Sequence, residues 1–266
     1  MTINELYIQL DLQIDSTSKI AILNDVARKC DEGYLFVDSN NGKMHLFDNC
    51  GNVDDINKVK SVGDKVFIGC KSLISIAIPD SVKSIGDRAF KNCIHLTSIS
   101  IPNSVKSIGS YAFTNCKSLT SITIPNNVKI IGKCAFSLCE SLTSIIIPNS
   151  VESIGTYAFS DCTSLIGISI PNSIKSIGCY VFFGCTNLTS ITIPDSIKSI
   201  GDEAFANCTS LTCITIPNSV ESIGSYTFEN CTNLTSVIFK GKTLKEVWAM
   251  KDYPWGIKDE SIIKCI

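Results

Sequence analysis

The sequence predicts a capped solenoid: a β-rich α/β rod built of 23-residue coils, each a short strand followed by a helical turn. Three observations lead there. A cysteine recurs every 23 residues from Cys70 to Cys231, a proline from Pro79 to Pro217 and a phenylalanine from Phe67 to Phe228. Within each unit apolar and small polar residues alternate over a few positions, which is strand periodicity. The period fails at both ends, where an array of stacked coils needs caps over its exposed core and strand edges.

The predicted organisation is an α/β cap over residues 1–50, a solenoid of about eight coils over 51–239 and a short cap over 240–266. In the first cap, "IQLDLQI" alternates like a strand and "STSKIAILNDVARKC" reads as a short helix. "YLFVDSNNGKMHLFD" reads as a hairpin around Asn41-Gly42, a favoured two-residue turn.

The coil beginning at Cys93 shows what each position does. Leu96, Ile99 and Ile101 face inward, with Ser98 and Ser100 outward between them. Pro102 ends the strand because it has no N–H for the ladder, and "PNS" continues as turn chemistry. Val105 and Ile108 return inward from a second extended piece, and Gly109 marks a bend where a side chain would hinder the turn. Ala112, Phe113 and Cys116 then fit one face of a single helical turn. Stacked about 4.8 Å apart, eight such coils make a rod about 40 Å long with Phe, Ile and Cys ladders inside. At the far end "KTLKEVWAMK" opens with a capping-box pattern, Thr243 to Glu246.

Composition narrows the function classes. The chain is 44% hydrophobic and 18% charged with a formal net charge of -2, which is globular and not the balance of a general nucleic-acid binder. The start, "MTINELYIQLDLQID", shows no signal-peptide pattern, no apolar run is long enough to span a bilayer, and "IIKCI" is not a prenylation box. The default is therefore a cytoplasmic chain.

The segment L-x-x-I-x-I resembles the core of leucine-rich repeats, and the frame "CxSLTSIxIPxSVKSIGxxAFxx" over residues 51–239 resembles the BspA-like surface-antigen class of that superfamily. The resemblance implies a right-handed superhelix, and a role in adhesion or host-protein binding at a cell surface. The place of the usual Asn or Cys ladder holds Ser81, Ser104, Asn127 and Ser150, whose side chains can satisfy the same backbone groups more weakly.

Candidate chemistry is sparse. The eight lattice cysteines read as buried packing thiols, since parallel inward Cβ vectors a coil apart exceed disulfide geometry and no Cys-x-x-Cys or His partner suggests zinc. His45 and His95 join no nucleophile and acid, and no phosphate or dinucleotide glycine pattern occurs. The expectation is a protein without catalytic residues, metal or cofactor. Lys60, Lys83, Lys106, Lys129, Lys175 and Lys198 form a column interrupted by Glu152 and Glu221. It reads as a solvated face, because like charges 5 Å apart in water repel by only about 0.8 kcal/mol.

Two surfaces remain. The outward strand face carries Ser98, Ser100, Ser121, Thr123, Ser144, Ser169, Ser190, Thr192 and Thr215, where leucine-rich repeats usually hold ligands. The position two after each glycine carries Tyr111, Tyr157, Tyr180 and Tyr226, aromatic anchors on one edge. The sequence thus points to a non-catalytic module binding a protein or glycan, with a self-associating phage or cell-envelope scaffold as the alternative.

Overall fold

The computed structural model describes residues 27–30, 33–37, 44–47, 53–54, 57 and 59–266. Near the N-terminus, Ala27–Cys30, Gly33–Val37, Met44–Phe47 and Val53–Asp54 form a four-stranded antiparallel sheet in chain order. Val37 pairs with Met44, so the two strands of the expected hairpin are present; its Asn41-Gly42 turn and the "IQLDLQI" segment lie outside the described residues. The expected helix over 16–30 is corrected at its end. Ala27–Cys30 is a strand, because a two-residue connection lets Cys30 pair with Gly33 and brings the ladder hydrogen bonds within reach. The rest of that segment lies outside the described residues.

From residue 59 onward the chain winds into about nine three-sided coils hydrogen-bonded to their neighbours, with the strand ladders broken between Ser98–Ser100 and Ser121–Thr123, between Ser190–Thr192 and Cys213–Ile216, and between Ser153–Ile154 and Ser176–Ile177. On the first side short parallel strands pair 23 residues apart. Ser121–Thr123, Ser144–Ile146, Gly167–Ser169 and Ser190–Thr192 form one sheet, with Ile122 opposite Ile145 and Ile168 opposite Ile191. On the second side the two-residue strands from Ser61–Val62 to Ser153–Ile154 form a five-stranded sheet in the same register.

The third side overturns the helical turn. The Ala112, Thr114 and Cys116 N–H groups donate to the carbonyls three residues back, Gly109, Tyr111 and Phe113, at 3.2–3.3 Å. The intervening Tyr111, Phe113 and Asn115 N–H groups instead donate to Lys133, Ala135 and Ser137 of the next coil at 2.7–2.8 Å. The segment is a chain of β-turns, with left-handed φ of 60° at Tyr111 and 61° at Asn115, each the third residue of its turn, as type II requires. A helix would direct its N–H groups back along its own axis and leave few for the neighbour. A third intercoil ladder is what it would lose.

Inside, Phe67 to Phe228 stack with centroids 5.2–5.9 Å apart and interplanar angles of 2–12°. The lattice thiols do more than fill space. From Cys93 to Cys231 each Sγ donates to the Phe carbonyl 26 residues earlier, at 2.9–3.2 Å. Burial pushes the Cys116 thiol up to about 12 and Cys139, Cys162, Cys185 and Cys208 well above the ordinary value. No disulfide joins any of the twelve cysteines from Cys70 to Cys265. Cys231 departs from the expectation: it is half-buried, because no further cysteine follows to cover it.

The repeat glycine is explained by crowding at most coils, Gly178 excepted, where an added Cβ would meet nothing closer than 3.5 Å. A Cβ on Gly132 would lie 2.5 Å from the Gly109 carbonyl carbon and 2.6 Å from the Ser110 nitrogen, so the coils approach too closely there for any side chain. In the ladder after the proline, Ser104, Ser150 and Ser173 donate to the Val82, Val128 and Val151 carbonyls at 2.5–2.8 Å, as expected for hydroxyls standing in for asparagine. The Ser196 and Ser219 hydroxyls are buried without a partner.

At the C-terminal end Thr243 caps the helix Leu244–Trp248 through a full capping box with Glu246. Trp255 is buried and packs on Phe239, with ring centroids 5.6 Å apart. The strand Ile263–Cys265 adds in parallel beside Ser236–Phe239. Among the described residues no helix is long and apolar enough to cross a membrane.

Candidate functional site

The alternation that buries the isoleucines lifts the strand-face residues into solvent. Ser98, Ser100, Ser121, Thr123, Ser144, Ser169, Ser190 and Thr192 are all exposed, and Thr215 is half-buried. Parallel register sets them in columns, with Ser98 beside Ser75, Ser121 beside Ser144 and Ser169 beside Thr192. The turn after the proline adds a further column, in which Asn103, Asn126, Asn149 and Asn172 are all exposed. Between Thr123 and Thr192 these columns carry no charged side chain.

The lattice is interrupted at its centre. Ile146 stands in the Ser/Thr column beside Thr123 and is 79% exposed, while Gly167 replaces the serine next to Ser144. Ile166, one position before Gly167, is 57% exposed. Thr123, Asn126, Ile146 and Asn149 line a shallow cleft over Ile124 and Ile147. Sequence reasoning passed over Ile146, although reading each column for its odd member would have found it.

The four tyrosines stand in one column of equivalent coil positions, interrupted by Cys134 and Glu203. The Tyr157 and Tyr180 rings stack at 4.4 Å with an interplanar angle of 4°. The Tyr180 hydroxyl donates to Glu203 Oε1 at 2.8 Å, a bond that raises the phenol to about 12. Tyr111 is separated from them by Cys134, and the Arg88 and Lys91 cations lie 5.2 Å and 5.3 Å from its ring centroid. Tyr226 lies beyond Glu203 and is 60% exposed. All four tyrosines have left-handed φ, between 56° and 60°. The parallel left-handed column fills the same conformation mostly with Asn92, Asn115, Asp161, Asn207 and Asn230, residues that tolerate it.

The lysine column behaves as a solvated face where its acids stand. Lys129 pairs with Glu152 at 2.7 Å and Lys198 with Glu221 at 3.2 Å, both exposed and therefore worth at most about 1 kcal/mol each. Among the described residues no three His, Cys, Asp or Glu side chains gather in a way that could hold a metal ion.

Three-sided coils with outward strand columns define a leucine-rich repeat protein. The chain belongs to the BspA type leucine-rich repeat family, whose pattern matches residues 43–166 and 153–248 in six copies. It is similar to a leucine-rich repeat protein of Bacteroides ovatus, with 27% identity and a TM-score of 0.59 over 90% of this chain and 76% of that one. It is likewise similar to the leucine-rich repeat protein of T. pallidum, with 26% identity and a TM-score of 0.55 over 77% of this chain and 89% of that one. No curated protein matches the chain.

Proposed function

We propose that this protein is a non-catalytic interaction module that binds a protein or glycan partner in adhesion or surface recognition, through its strand face. The observation that carries the reading is the exposed strand face, charge-free between Thr123 and Thr192, with an apolar notch at Ile146 in its centre. Neutral hydroxyls and carboxamides there are cheap to desolvate against a polar partner, and Ile146 supplies the apolar contact that a purely Ser/Thr surface lacks. Residues 1–50 and 240–266 would serve as caps to the 51–239 array. A cell-surface location is part of this reading, supported by membership of the BspA type family.

The tyrosine edge has weaker support as an anchor row, since Tyr157 and Tyr180 cover each other's faces and Tyr111 is engaged by Arg88 and Lys91. The scaffold alternative also has a weaker basis. The terminal strand is only three residues long and carries exposed Lys264 at its middle, the kind of edge that resists pairing with another copy.

The test compares three proteins in a capture assay against host-cell and neighbouring-cell extracts. One lacks residues 139–184, two whole coils that include Ile146 and Ile166. One carries Ile146→Arg alone, and one carries Asn at all four tyrosines, a residue that fits left-handed φ. Loss of capture in the first two and retention in the third supports the strand face, and the reverse transfers the site to the edge. If no variant changes capture while the intact protein self-associates with rising concentration, the scaffold replaces the binding module.

A further inference from the structure

The C-terminal cap departs from the spacing of the array. The Phe205 N–H bonds the Thr227 carbonyl, but the Phe228 N–H bonds that of Trp255 at 2.9 Å. The receiving residue thus lies 28 positions beyond Thr227 where the repeat would place it 23 beyond. The cap therefore covers the last coil without matching it side chain for side chain. A cavity of about 270 Å3 is left between them.

Its chemistry is divided. Phe228, Leu234, Ile257 and Ile262 form an apolar floor. Polar groups gather at the lining around it, and their bonding capacity is only partly used. Asn230 donates its amide to Asn207 Oδ1 at 3.1 Å, which leaves its own oxygen to accept. The Asp259 carboxylate accepts from the Ser261 N–H at 3.0 Å through Oδ1 and also meets the Ser261 hydroxyl, which together use only part of its lone pairs. Among the described residues none makes a side-chain hydrogen bond or ion pair with Lys258 or with the Thr232 hydroxyl, which also line the cavity. Lys258 and Asp259 are both exposed and are not paired with each other. One free cation, one carboxylate with lone pairs to spare and an apolar floor complement a small zwitterion with a greasy side chain.

We propose that this cavity binds a free α-amino acid with an apolar side chain, of the size of leucine or phenylalanine. The ammonium is received by Asp259 Oδ2 and Asn230 Oδ1. The carboxylate is received by Lys258 and the Thr232 hydroxyl, and the side chain lies over Phe228 and Leu234. The volume suits one such molecule, being just below the roughly 300 Å3 at which pockets for drug-sized ligands begin. This site is separate from the strand face, so it stands whether or not that face binds a partner.

Calorimetric titration of the full chain with L-leucine and L-phenylalanine tests it, beside L-leucinamide and 4-methylpentanoate, which each lack one charge. Saturable binding of the amino acids is expected, with each analogue about tenfold weaker, the scale of one lost charge-assisted hydrogen bond. Lys258→Gln should remove the preference for leucine over leucinamide, and Asp259→Asn, which can still cap its turn, the preference over 4-methylpentanoate. Leucine should also slow modification of Cys231, which lines the cavity, by a small thiol reagent. No saturable binding of either amino acid up to roughly 10 mM, weaker than any useful affinity, overturns the proposal. So does binding that ignores both substitutions, or equal binding of the analogues.

Discussion

Raising the pH should unfold this protein more steeply than its net charge suggests, because the cysteine ladder is built to stay neutral. Six thiols, Cys93, Cys116, Cys139, Cys162, Cys185 and Cys208, are buried and have their pKa pushed above the ordinary 9.0. For five of them desolvation is the leading cause, and for Cys93 it is the hydrogen bond with Cys70. A raised folded pKa means that the fold favours the protonated form. Its contribution is complete below the unfolded value and is lost as pH climbs toward the folded one. At pH 10 each unfolded thiol gains about 1.4 kcal/mol by ionising, so six remove about 8 kcal/mol. That is comparable to the whole stability of an ordinary domain, about 5–15 kcal/mol. Urea unfolding followed by circular dichroism at pH 8, 9 and 10, with a phosphine reductant present, reads the loss directly. Cys162→Ala should lessen the slope by one proton. A loss below about 2 kcal/mol between pH 8 and pH 10 would refute the neutral, buried ladder.

Other perturbations test single positions. Phe136→Ala, which breaks the ring stack between Phe113 and Phe159, should cost about 3–5 kcal/mol, while Ser121→Ala on the solvent side should cost under about 0.5 kcal/mol, both read from chemical denaturation. Leu138 holds φ of 60° in a column otherwise filled largely by Asn and Asp, so Leu138→Asn should raise stability by about 1 kcal/mol in the same assay. Ser150→Ala should cost about 1 kcal/mol because its hydroxyl bonds Val128, whereas Ser196→Ala should be neutral or stabilising, since it deletes a buried hydroxyl that has no partner. Equal thermal midpoints for those last two variants would contradict the assigned hydrogen bonds.

The periodic features were legible because each repeated position has one physical reason to be what it is. The isoleucine alternation, the proline stop and the Thr243–Glu246 capping box could all be read from residue types alone, and the serine ladder from the resemblance to leucine-rich repeats. The turn segment could not. Ala112, Phe113 and Cys116 satisfy a helical spacing and a series of β-turns equally well, and the hydrogen bonds that decide between them run to residues 22 positions ahead, as from Tyr111 to Lys133. The left-handed backbone under Tyr111 was hidden for a related reason, since tyrosine carries no signal for that conformation. The repeat glycine was assigned to the right place with the wrong cause, because the crowding comes from the preceding coil and not from the local bend. Ile146 was missed because a rule about the repeat draws attention away from its exceptions.

The three hydrogen-bonded sides of each coil also decide how the molecule would respond to tension. Pulled from its C-terminal end, a coil cannot swing out on one surviving side, because strand, second strand and turn ladder all lie against the same neighbour. Release is therefore collective, and each event frees a length of chain equal to one repeat. Twenty-three residues extended at about 3.4 Å each give a step of roughly 80 Å. Most junctions are near copies, so their rupture forces should fall close together, with lower values at the three junctions where a strand ladder is broken. A protein tethered at one end and bound to a partner along its face would thus pay out length in equal increments under shear, shedding coils from the pulled end while those behind stay folded.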